Sequence, residues 1–71
     1  MKKEIAENIN NLMLDIGARL DESVILVKNS CSDEEFKAYR KAVGVIMGTM
    51  LIDVMNPIYV EHKSLKPKEL E

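Results

Sequence analysis

The stretch AVGVIMGTMLIDVM, residues 42–55, decides how this chain has to fold. Thirteen of its fourteen residues are uncharged, and Asp53 is the exception. A helix with one apolar stripe packs on one neighbour, whereas a helix apolar nearly all round has to be enclosed. Only 71 residues are at hand to enclose it. A chain of this size buries about 60% of the surface its unfolded form exposes. Its core seldom supplies more than about 3–5 kcal/mol without a staple. The one cysteine, Cys31, has no internal disulfide partner, and with the one histidine, His62, it falls short of a structural zinc site, which takes about four ligands. Self-association is the staple that remains.

Around this stretch the spacing predicts a second helix over about residues 33–55. Phe36, Val43, Met47, Met50, Leu51 and Val54 make one stripe on it. Ala38, Ala42, Val45, Thr49 and Ile52 make another on roughly the opposite side. One stripe serves the first helix, and the other needs a different partner. Gly44 and Gly48 stand four apart and permit close approach of another backbone. Each costs about 1 kcal/mol relative to alanine in a helix interior. Met47, Met50 and Met55 read as core filling, with an adaptable binding surface as the other use of methionine.

Upstream, Ser32-Asp33-Glu34-Glu35 fits a capping box, with Cys31 and Phe36 placed for a hydrophobic staple across the cap. The three acidic residues also face the positive end of the helix dipole. Before this break, a first helix is predicted over about residues 3–29. Its main stripe is Ile5, Ile9, Leu12, Ile16, Leu20, Ser23 and Val27, widened by Met13 and Val24 on one side and Leu26 on the other, and Leu14, Ala18 and Ile25 form a thin strip almost opposite. That strip reads as ordinary surface or as a second contact. A link of about four residues makes the pair an antiparallel hairpin. Downstream, Asn56-Pro57 is predicted to end the second helix, because proline disfavours a helical conformation just before it. A short helix over about 57–63 and a tail over 64–71, with a single turn after Pro67, complete the chain.

The expected fold is therefore all-α. It is one domain over residues 1–63, an antiparallel two-helix hairpin with a short C-terminal helix or tail, pairing into a dimeric four-helix bundle. Interface candidates are Arg40, Ala42, Gly44, Val45, Gly48, Thr49, Ile52 and Asp53. If two second helices cross antiparallel at the glycines, Asp53 lies level with Tyr39 and Arg40 of the other chain. Such a pair matters because a buried carboxylate has to be exposed, protonated or partnered.

The formal charge is −2, with acidic and basic residues interspersed. No basic stripe forms of the kind that nucleic-acid binding uses. The longest uncharged run, Ala42 to Ile52, has eleven residues, against about 20 for a membrane span. With no N-terminal signal pattern either, the expected location is the cytoplasm. Gly-rich phosphate loops, HExxH and CxxC are absent. Glu61 and His62 are adjacent, and neighbours along a helix do not face each other, so His62 reads as a solvated surface residue. No cofactor, metal or catalytic set is expected. The function so indicated is a homodimeric protein-interaction or regulatory module. The alternatives are a small-molecule binder or minor enzyme with a subunit-interface site near Asp53, and a DNA-binding regulator, which the acidic balance disfavours.

Overall fold

The computed structural model describes residues 1–67. Among them the chain is helical with no strand, and two long helices pack together. Helix α1 spans Lys3–Ser30. It stops where Cys31 turns to an extended conformation (φ −126°, ψ 173°) while its N–H still bonds the Val27 carbonyl at 2.9 Å. Ser32 is extended as well, and the expected capping box is present. The Glu35 N–H donates to Ser32 Oγ at 3.2 Å, and the Ser32 N–H donates to Glu35 Oε1 at 3.3 Å. Beside it Cys31 is exposed and Phe36 half-buried. Ser32→Ala is expected to lower stability by about 0.5–2 kcal/mol, the usual loss for such a cap. Urea denaturation followed by circular dichroism reads it, and an unmoved midpoint would place the helix start elsewhere.

Helix α2 differs from expectation at its far end. It runs unbroken from Asp33 to Glu61, 29 residues. Regular α-helix gives way to a wider π turn over Met50–Met55 and resumes over Asn56–Glu61. Within that turn the Asn56 N–H bonds the Leu51 carbonyl, five residues back. The widened turn lies directly before Pro57. A regular helix there would meet both the missing N–H and a clash between the ring and the carbonyl four residues back. The expected break at Asn56-Pro57 is thus absorbed as a change of winding.

One extra residue in a turn rotates every later side chain about the helix axis by about 100°. That rotation turns Met55 and Tyr59 toward α1, where they and Ile58 are each at most 6% exposed. With Ala6 they form the core, and Ile9, Met13, Leu51, Val54 and Leu65 pack against it. The tightest packing is therefore at the open end of the hairpin, beyond the stretch that dominates the sequence. A 3₁₀ turn comes next over Lys63–Leu65, so packed structure continues past residue 63 into the expected tail. The single turn expected after Pro67 falls on residues 68–71, outside those described.

Helix α1 presents much of its expected stripe, since Ile9, Ile16, Leu20, Ser23 and Val27 are half-buried, but the face is turned toward one side of it. Ala6 and Asn10 are buried and Met13, Gly17, Leu20, Val24 and Val27 half-buried, while Ile5 and Leu12 are 49% and 47% exposed. The line of contact is turned by roughly 50° toward smaller side chains, at 100° per residue. The smaller side lets the helices approach closely, and it sets Asn10 against Tyr59. The molecule is a rod of 44 × 19 × 16 Å with a radius of gyration of 14.3 Å. A compact chain of this length would have about 11 Å.

Candidate interaction surface

The two stripes of α2 meet different surroundings. Val43 is buried, and Phe36, Met47, Met50, Leu51 and Val54 are half-buried against α1. Ala38, Ala42, Val45, Thr49 and Ile52 are all exposed, with Val45 at 65% and Ile52 at 64%. Thr49 satisfies its own hydroxyl by donating to the Val45 carbonyl at 3.0 Å, so this face displays no unmet polar group there. Gly44 and Gly48 lie beside the stripe. A Cβ added at either would meet nothing within 4 Å. Neither glycine is needed for contacts inside the hairpin.

An open cleft of about 820 Å³ runs between α1 and α2. Met13, Gly17, Met47, Gly48, Met50 and Met55 line it, and Asp21 is its one charged lining residue. Leu14 and Ala18 line it too, so the thin second strip of α1 continues the cleft outward. The methionines are thus shared between the core and an open apolar surface.

The other interface candidates are dispersed. Arg40 is exposed, and Asp53 is exposed on a shallow depression with Met1, Val54, Pro57, Ile58 and Glu61, away from the methionine-lined cleft. Tyr39 is engaged within its own chain: its hydroxyl lies 2.7 Å from Ser23 Oγ. Because Ser23 gives its proton to the Leu20 carbonyl at 2.6 Å, Tyr39 is the donor of that pair.

The open end of the hairpin carries the polar contacts that the sequence conceals. The buried Tyr59 hydroxyl donates to Asn10 Oδ1, and Asn10 Nδ2 reaches the Leu65 carbonyl at 3.5 Å. Among the described residues no buried side-chain polar atom lacks a partner. Burial pushes the Tyr59 phenol above its ordinary value. Asn10 gave one signal: it lies four after Ala6 and three before Met13, a polar residue on an apolar line. His62 is not a solvated surface residue. Its side chain is 17% exposed, its Nε2 lies 2.9 Å from the Met1 carbonyl, and it lies 3.0 Å from Glu61 Oε1. The two neighbours meet because the helix ends between them, with His62 at φ −129° and ψ 76°.

Glu61 also receives the Met1 ammonium at 2.7 Å. That hydrogen bond and charge hold its carboxyl below the usual range, with His62 a smaller cause. A depressed carboxylate stabilises the fold above its unfolded-state pKa, and the contribution is lost as pH falls through the lowered value. A small, salt-sensitive loss of stability is therefore expected below about pH 4.5, the ordinary value for this group. Glu61→Gln should remove that part of the profile in thermal melts across pH.

By length and composition Asp33–Glu61 is apolar enough to cross a membrane, which the eleven-residue uncharged run by itself did not suggest. Only 22% of its most apolar window is buried within the chain. Among the described residues no group of three or more His, Cys, Asp or Glu side chains assembles as a metal site would need. No family model, curated protein or solved structure matches this chain.

Proposed function

We propose that this protein is a homodimeric helical module that works by binding protein, its own second copy first, in the cytoplasm and without catalysis. The observation that carries the reading is the outer stripe of α2. Five small or apolar positions at helical spacing are all exposed, and four of them lie in the stretch 42–55, whose one charged residue is Asp53. Total surface supports it. The chain exposes 5463 Å², against about 4,500 Å² for a compact monomer of 8.1 kDa. The excess is of the order that each partner contributes to a standard interface, about 800 Å². Two hairpins side by side make a four-helix bundle.

Light scattering through a dilution series in detergent-free buffer tests this, with a stable dimer in the micromolar range as the expected result. The thermal midpoint should rise with protein concentration, since association draws the folded state. A folded monomer at all concentrations would overturn the reading. A chain that stays dispersed only in detergent would place α2 in a bilayer instead.

A further inference from the structure

We propose that each hairpin's methionine-lined cleft receives the α2 helix of a second copy, oriented so that the partner's Lys41 reaches Asp21. This rests on the self-association just described and states which surfaces meet. Two features of one chain lack partners and complement each other. One is the cleft, about 820 Å³ and apolar except for Asp21. The other is the exposed side of α2 carrying Val45 and Ile52, with Lys41 beside it.

The shape of the cleft suits a helix. Leu14, Ala18, Asp21 and Ile25 have the 4-3-4 spacing of a seam that packs on another helix. Leu14 and Ile25 are 41% and 57% exposed, so the seam is unoccupied within the chain. A single charged residue in such a seam sets register by requiring a counter-charge at its own height. On the other wall, Gly48 leaves open the space a Cβ would take. Gly48 costs helix stability and gains nothing inside the hairpin, as expected where a second backbone draws near.

Heights along the rod identify the counter-charge. Gly17 stands beside Met47: a Cβ on Gly17 would lie 3.8 Å from Met47 Cε. In an antiparallel hairpin, residue numbers level with each other then sum to 64, which sets Asp21 level with residue 43. A helix in the cleft lies against α1 as well, and the usual bundle keeps neighbours antiparallel. The incoming α2 then runs parallel to the resident α2, as a two-fold axis along the bundle provides. Heights are preserved, so the partner's residue 43 stands at Asp21. The partner's Lys41 is two residues away, within reach of its side chain, and the partner's Val45 enters the middle of the cleft. Neither Asp21 nor Lys41 has an ion pair among the described residues. In the antiparallel crossing centred between the glycines, the partner's Lys41 is instead level with Met13, about 12 Å from Asp21 at 1.5 Å per residue.

Cysteine pairing in the full chain separates these cases. On a Cys31→Ser background, Asp21→Cys and Lys41→Cys chains are mixed and oxidised, and the disulfide-linked products are sorted by mass. Light scattering on the unoxidised mixture reports association independently. The expected product is the mixed Asp21→Cys–Lys41→Cys species, several-fold above its statistical share. Asp21→Lys alone should weaken association about fivefold, the scale of a partly exposed pair, and Lys41→Glu on top should restore it. Gly48→Leu should leave the hairpin folded and disperse the dimer. A dimer that links without the mixed product, or that tolerates Gly48→Leu, overturns this docking and leaves self-association standing. A monomer overturns both.

Discussion

Ile58→Ala is expected to remove most of the stability of this protein. Ile58 is 4% exposed in the small core it forms with Ala6, Met55 and Tyr59. Truncating a buried isoleucine costs about 2–5 kcal/mol through lost transfer energy and the cavity left behind. A core of this size supplies only about 3–5 kcal/mol altogether. The variant should unfold at little or no urea, or fold only at concentrations where association compensates. Val60→Ala, two residues on and 77% exposed, should stay within about 0.5 kcal/mol of the parent. Circular dichroism of both through urea decides it. Equal midpoints for the two would mean that the open end of the hairpin is not where the fold is held.

The second large effect is expected at Asn10. Asn10→Ala takes away the acceptor of the Tyr59 hydroxyl and leaves that group buried without a partner, a loss of about 1–3 kcal/mol. Tyr59→Phe should cost a comparable amount by orphaning Asn10. Removing both should cost less than the two losses together, and a double-mutant cycle reads the coupling. Coupling near zero would dismiss the pair. The same contact carries a pH signature. A phenol raised above 10.0 by burial keeps its proton longer folded than unfolded. Stability is then intact below about pH 10 and falls as pH rises through the raised value. Tyr59→Phe should flatten that alkaline decline, read in thermal melts across pH.

The effects concentrate at the open end because the long middle of α2 is only half used. Val43, Met47 and Leu51 rest on α1, while Val45, Ile46 and Ile52 face outward. A hairpin covers one side of a helix and leaves the apolar surface of the other side exposed. This geometry connects a marginal core with the association proposed above. The apolar surface that α2 leaves exposed is the surface proposed to join two copies.

The amino-acid sequence by itself determined the features that depend on near neighbours along the chain. The helices arise from apolar spacing, the hairpin from Ser32 and Glu35 meeting across one turn, and the two-sidedness of α2 from stripes that stay in phase as far as Thr49. Tertiary structure alone decided the features that depend on contacts far apart in number. How far the face of α1 is turned was settled by close approach, which favours Ala6, Asn10 and Gly17 over the bulkier Ile5 and Leu12. Whether Pro57 ends α2 was settled by the packing of Met55, Ile58 and Tyr59, which holds the helix together through a π turn. No period of 3.6 anticipates that turn, because a single extra residue shifts every later side chain by about 100°. His62 was likewise placed by a partner sixty-one residues away, the Met1 carbonyl. Local propensity does not register such contacts, since they exist only once the two ends of the hairpin have met.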